Sequence, residues 1–188
     1  MGKLIGIDDA GRGPVLGPMV LAGVLIEEEE EEIIGSWGAK DSKLLTPKKR
    51  FEIKEKVIEK FEHFIVTSKP IEIDESSNLN YLEAIKTSMI INHLMEPLNE
   101  KVRVIVDCPS VNIEAWSEDV FKLVEKKDLV DLFCEHKADY NHKIVSAASI
   151  LAKEKREAEL VRLRRELDVD FGSGYLADPK TKEFIAEH

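Results

Sequence analysis

The chain has 188 residues, 43% of them hydrophobic, enough for one domain with a sizeable core and too many for a disordered segment. No apolar run approaches the ~18 residues of a membrane span, and the opening MGKLIGIDDAG fits neither a signal peptide nor a myristoylation signal. A formal net charge of −10 and a pI of about 5.1 run against the basic balance common in nucleic-acid binders, but screening acts over ~8 Å, so a local basic patch or bound cations outweigh the total.

In chain order, residues 3–7 predict a strand that stops in two adjacent acids, Asp8 and Asp9. The turn Gly11-Arg12-Gly13-Pro14 leads to a second strand over residues 19–26. The glutamates of residues 27–32 read as a solvated loop or helix start away from any site. Thr46 and Pro47 form an N-cap and first helical position, predicting a helix to about Lys60. Residues 62–73 read as a third strand with a proline interruption. Asn78 caps a helix to about Leu94, with Leu79, Leu82, Ile85, Met89 and Leu94 roughly on one face. Residues 102–106 (VRVIV) are a buried-type strand ending in Asp107, residues 113–126 a helix and residues 129–134 a fifth strand. Asp139 lies in HKADYNH, just ahead of a long helix over residues 143–167. The start of that helix is rich in Ser and Ala (Ser146, Ala147, Ala148, Ser149, Ala152), which let a helix backbone lie close against a sheet. The tail GSGYLADPKTKEF reads as a glycine turn and a short helix. The pattern predicts one α/β domain over residues 1–188 with a mixed sheet, antiparallel first and parallel later. Cys108 and Cys134 lie in separate apolar runs without metal-type spacing, and are expected to be reduced core residues of a cytoplasmic protein.

Three acids, Asp8, Asp107 and Asp139, stand at or just past strand ends, and Asp9 accompanies the first. In α/β sheets, sites gather at strand ends near a switch in strand order. Four carboxylates converging there would repel one another and stay ionised together only with cations between them. Oxygen ligands of this kind suit Mg²⁺ or Mn²⁺, and two such ions ~3.5–4 Å apart could activate water and stabilise the leaving oxygen of a phosphodiester. Against this stands the ordinary use of Asp as a strand terminator or turn cap, the better explanation for any one of them but a weaker one for all four.

The segments GIDDAGRGPVLGPMV, KDSKLL, VDCPS, EHKADYNHKIVSAASILAK and GSGYLADPKT, in this order, resemble ribonuclease HII of the archaeal type over nearly the whole chain. The resemblance implies a ribonuclease-H-like fold, a mixed five-stranded sheet flanked by helices. It implies a metal-dependent endoribonuclease that hydrolyses the RNA strand of RNA–DNA hybrids and cuts 5′ of ribonucleotides embedded in duplex DNA. Two ions of Mg²⁺ or Mn²⁺ serve as cofactors, and the products carry 3′-hydroxyl and 5′-phosphate ends. The family's acidic quartet maps onto Asp8, Asp9, Asp107 and Asp139. Its glycine–arginine–glycine motif maps onto Gly11, Arg12 and Gly13, which would read the 2′-hydroxyl at the RNA–DNA junction. Its late tyrosine maps onto Tyr175, at the same sugar, and its Asp-Ser-Lys segment onto Asp41, Ser42 and Lys43, of which Ser42 and Lys43 would hold backbone phosphates. These roles agree with the chemistry: the 2′-hydroxyl tells RNA from DNA, and phosphate contacts fix register without carrying sequence. The resemblance further implies a monomer, and admits a replication clamp as partner, although no clamp-binding peptide is visible.

Two departures carry expectations of their own. Asp9 stands where the family has Glu, which retracts the carboxylate by about a bond length against Mg²⁺ contacts of ~2.0–2.1 Å. This predicts slower turnover or a shift toward Mn²⁺. The family continues for some tens of residues beyond DPKT with a further basic and aromatic helix, so the chain is expected to lack that extension and to grip duplex more weakly. A dinucleotide-binding loop at Gly11 and Gly13 is set aside, because Pro14 and Pro18 lead into a strand, not a helix. His136 and His142 read more simply as loop histidines, and KEKREAELVRLRR, residues 153–165, reads about equally as a phosphate track or a solvated helix face. Two rival functions remain: another metal-dependent phosphoryl-transfer nuclease of the same fold, and a noncatalytic hybrid-binding module.

Overall fold

The structure, a computed structural model, describes residues 2–39 and 45–187. Its strands are β1 (Lys3–Ala10), β2 (Met19–Glu27), β3 (Glu62–Ser68), β4 (Val102–Asp107) and β5 (Val130–Glu135). Its α-helices are α1 (Glu31–Ser36), α2 (Pro47–Lys60), α3 (Pro70–Glu75), α4 (Leu79–Met95), α5 (Ile113–Leu123), α6 (Ala138–Asn141), α7 (Lys143–Leu167) and α8 (Pro179–Glu187). The five strands form one sheet in the order β3-β2-β1-β4-β5. β1, β2 and β3 pair antiparallel, and β4 and β5 extend the sheet in parallel from β1. The mixed sheet and its order of directions are as the sequence pattern predicts.

Alternation along the strands sorts the core into two layers. Leu4, Ala10, Val20, Ala22 and Val24 pack with α7, α2 and α1 on one face. Ile5, Ile7, Leu21, Val104 and Val106 pack with α4 and α5 on the other. Glycine lets both principal helices lie close. A Cβ on Gly6 would stand 2.8 Å from the main chain of Ile144 in α7, and one on Gly23 would overlap Ile90 of α4.

Several expectations change. β1 does not stop at the acid pair. It continues to Ala10, because β2 keeps pairing with it, Asp8 to Ala22 and Asp9 to Leu21. Only its parallel pairing with β4 ends, at Ile7 and Val106, and this opens the crevice beside the acids. Residues 62–73 are not one strand, since β3 ends at Ser68 and Pro70 occupies the first turn of α3, where proline starts a helix instead of interrupting a strand. The glutamate run forms a 3₁₀ turn (Glu28–Glu30) and then α1, and it is engaged. Glu27 pairs with Lys3, Glu28 with Arg103 at 3.2 Å, Glu30 with Lys60 at 3.0 Å and Glu32 with Lys143 at 2.6 Å. Glu31 accepts the Ile144 N–H at the start of α7 (3.3 Å), a favourable place for a negative charge. In α4, Met89 is exposed, and the buried face carries Leu82, Glu83, Thr87, Ile90, Ile91 and Leu94. Among the described residues no helix is long and apolar enough to cross a membrane.

Candidate active site

Asp8 and Asp9 sit where β1 outruns β4, and Asp107 ends β4 beside them. By alternation the two neighbours face opposite layers. Asp8 is 5% exposed, takes a hydrogen bond from the Ser149 hydroxyl of α7 and accepts the Asp9 N–H at 2.7 Å. Asp107 accepts the Ala138 N–H at 2.7 Å, which ties the end of β4 to α6 and thereby places Asp139, 8% exposed. The residue before that amide, Lys137, is left-handed at φ 60°, a conformation costing a non-glycine residue about 1 kcal/mol or more. The Asp107–Ala138 bond holds it there.

Burial, then the charges of Asp9 and Asp107, push the Asp8 carboxyl well above the ordinary carboxylate range. Burial and the charge of Asp107 raise Asp9 to about 6, with Asp139 adding to the effect and Arg12 and Lys153 opposing it. Asp8 is thus within electrostatic reach of Asp9 and Asp107, and Asp9 within reach of Asp107 and Asp139. No three acids among the described residues stand close enough to cage one ion. The donor set still fits a hard cation: it is all carboxylate and crowded with like charge. Mg²⁺ commonly takes only one or two protein carboxylates, completing its shell with water and substrate phosphate.

The Gly11-Arg12-Gly13 turn leaves β1 beside these acids. Gly11 has φ 95°, which suits glycine. A Cβ on Gly13 would lie 3.7 Å from the Tyr175 ring, so turn and tyrosine are neighbours although 162 positions separate 13 from 175. The Arg12 side chain turns inward onto α4. Its Nε donates to Glu83 Oε2 at 2.9 Å and its Nη2 donates to Asn80 Oδ1, while the Asn80 carbonyl accepts Trp116 Nε1 at 2.9 Å. Glu83 is fully buried, and its other oxygen, Oε1, has no hydrogen-bond partner. Burial and the charge of Asp9 raise Glu83 to about 7, against the pull of Arg12. Ser42 and Lys43, with Asp41, lie outside the described residues.

Five participants at this site were not singled out as such from sequence: Asn80, Glu83, Ser149, Lys153 and Arg156. Glu83 had a signal, since an acid flanked by Leu82 and Ala84 on the apolar side of a helix needs a buried partner. Arg156 had one too, lying seven residues after Ser149 on the small-residue face of α7. The stretch at residues 153–165 is neither purely a phosphate track nor purely a solvated face: Lys153 acts on Asp9, Arg156 is buried, and Arg162 and Arg165 are exposed. The histidines have structural partners. His136 Nδ1 lies 3.2 Å from the Cys108 carbonyl oxygen, and His142 Nε2 lies 2.9 Å from Glu135 Oε1. Cys108 and Cys134 are free thiols.

The family model described as Ribonuclease HII matches residues 5–188. A ribonuclease HII of Methanococcus maripaludis (strain C7) is 42% identical over 192 residues, covering 100% of this chain and 79% of that protein. The crystal structure of ribonuclease H2 from Pyrococcus horikoshii superposes with a TM-score of 0.87 at 37% identity, over 98% of this chain and 86% of that one. The RNase HII of Archaeoglobus fulgidus, solved as a complex with PCNA, gives 0.86 at 35% identity, over 98% and 87%.

Proposed function

The chain belongs to the ribonuclease HII family, endoribonucleases acting on the RNA strand of RNA–DNA hybrids, and on that premise we propose that it also cuts duplex DNA on the 5′ side of an embedded ribonucleotide. The observation that carries the proposal is a juxtaposition. The glycine turn neighbours Tyr175, and its arginine lies in the field of Asp9, so a surface able to read a ribose adjoins a cluster of acids. With the Arg12 side chain occupied on α4, the ribose 2′-hydroxyl is read by main-chain N–H groups of Gly11, Arg12 and Gly13, with Tyr175 against the sugar. Glycine admits that close approach.

Asp8, Asp9, Asp107 and Asp139 would hold two Mg²⁺ or Mn²⁺ ions. Bound there, the ions supply Lewis-acid stabilisation to the phosphodiester and to its 3′-leaving oxygen, giving 3′-hydroxyl and 5′-phosphate ends. The protein's own part is to fix Asp8, Asp9 and Asp107 on a rigid strand pair with Asp139 on α6 beside it, to orient Asp8 through Ser149 and Asp107 through Ala138, and to set the scissile bond against them by holding the ribose. Ser42 and Lys43 hold backbone phosphates in this reading, and residues 1–188 act as one catalytic domain and as a monomer. The free thiols suit a reducing, cytoplasmic setting. The A. fulgidus relative binds PCNA, and a sliding clamp is carried over as a partner, testable by retention on immobilised clamp.

Cleavage of a labelled duplex containing one ribonucleotide, in Mg²⁺, in Mn²⁺ and in chelator, tests the proposal. A metal-dependent cut immediately 5′ of the ribonucleotide, absent on the all-DNA twin, is expected. Cutting without regard to the ribose favours the phosphoryl-transfer rival. Metal-independent binding with no cut in either metal favours the noncatalytic one.

A further inference from the structure

Arg156 of α7 is 6% exposed, and among the described residues no carboxylate forms an ion pair with it. Its guanidinium spends itself on main-chain carbonyls: Nε donates to Pro18 O at 3.2 Å and Nη2 donates to Leu16 O at 3.0 Å. The Tyr175 ring lies 5.6 Å from its central carbon, within cation–π reach. Burial pulls its pKa below the ordinary arginine value. The Glu157 charge acts on it from a distance, and a buried charge with no carboxylate in contact is a poorer choice for stability alone than an apolar side chain.

Two glycines make room for this side chain. A Cβ on Gly11 would fall 2.5 Å from Arg156 Nε, and one on Gly174 would fall 3.2 Å from Nη2. Main-chain bonds from Val15 and Leu16 N–H to the Gly174 carbonyl, at 2.8 and 3.3 Å, close the same junction. One side chain thus reaches both the loop that follows the glycine turn and the Tyr175 ring.

We propose that Arg156 is a positioning residue that sets the spacing of the glycine turn and Tyr175, and with it the discrimination of ribose from deoxyribose. The inference rests on the reading of the gap between them as the ribose slot. A loosened slot loses the hydroxyl contact while the acids, anchored separately on β1, β4 and α6, keep theirs.

The test compares wild type with Arg156→Met and Arg156→Lys. Equilibrium binding to a fluorescent duplex with one ribonucleotide and to its all-DNA twin is measured in chelator, Mn²⁺ binding by calorimetry, and cleavage position on the ribonucleotide duplex. In Arg156→Met the binding preference for the ribonucleotide duplex falls about tenfold, the scale of one lost hydroxyl contact, while Mn²⁺ affinity holds. Arg156→Lys, which reaches one carbonyl instead of two, is intermediate and carries the test if the methionine variant does not fold. Unchanged preference in a folded variant, with wild type discriminating, overturns this inference alone. A wild type that neither discriminates nor cuts 5′ of the ribonucleotide overturns the ribose-slot reading, and this inference with it.

Discussion

Folding makes Asp9 a reluctant anion, with its carboxyl at about 6 against an ordinary 3.8. The raised value means that its favourable contribution to folding is complete below about pH 4 and is lost as pH rises through about 6. In chelator, Asp9→Asn should therefore stabilise the chain more at about pH 7.5 than at about pH 4, by at most about 3 kcal/mol. Thermal melts at both pH values check this, and equal gains would refute it. For catalysis, replacing Asp8, Asp107 or Asp139 with Asn is expected to slow cleavage about 10³-fold or more, the rate equivalent of several kcal/mol of lost charge stabilisation. Asp9→Glu is expected to speed cleavage in Mg²⁺ several-fold by restoring reach; a variant that gains nothing in either metal would sink the view that the short side chain limits the ion. At this scale the sequence was legible where chemistry shows in residue type, as at four acids beside strand ends. It was silent where a role depends on what a side chain meets. The inward turn of Arg12 onto Glu83 and Asn80 joins positions 71 and 68 residues apart, and no local pattern carries that.

At the scale of elements, α7 does most to assemble the site. Over β1 it brings Ser149 to Asp8, Lys153 into the field of Asp9, and Arg156 under the glycine turn. Gly6 permits that closeness, and Gly6→Ala would drive a Cβ to within 2.8 Å of the Ile144 main chain. Overpacking of this kind costs about 1–3 kcal/mol, so the melting temperature should fall by several degrees. Activity measured well below the melt should fall further than stability accounts for, because the helix lifts with its three side chains; full activity in the folded variant would argue against this dependence. Helix α7 was readable, with approximate ends that match Lys143–Leu167. The short α3 was not, and of α1 only a helix start was offered beside a solvated loop. In α1 a run of glutamates hides a helix held by Lys60, Lys143 and the start of α7. In α3, β-branched Ile71 and Ile73 imitate a strand, and only the position of Pro70 betrays the helix.

For the molecule as a whole, the acidic balance of −10 and a polyanionic substrate meet through cations. Mn²⁺ should raise the melting temperature at neutral pH, by an amount corresponding to about 2.7 kcal/mol at a hundredfold excess over its dissociation constant. The gain should disappear in an Asp8→Asn, Asp107→Asn double variant, and its persistence there would place the ions elsewhere. The global plan was the most legible level, since hydrophobic runs and their spacing dictate a sheet that is antiparallel and then parallel. The extension of β1 past its parallel neighbour was not, because which partner keeps pairing is a property of two distant segments. That central placement has a consequence for how the molecule breathes. Up to Ile7 β1 is hydrogen-bonded on both sides, beyond it by β2 alone, and it is covered on both faces, so its amides up to Ile7 should exchange with solvent only through global unfolding, whereas the loops carrying Gly13 and Tyr175 can open locally. The strand that carries Asp8 and Asp9 then shares the lifetime of the fold itself, while the surface that recognises the sugar comes and goes many times within it.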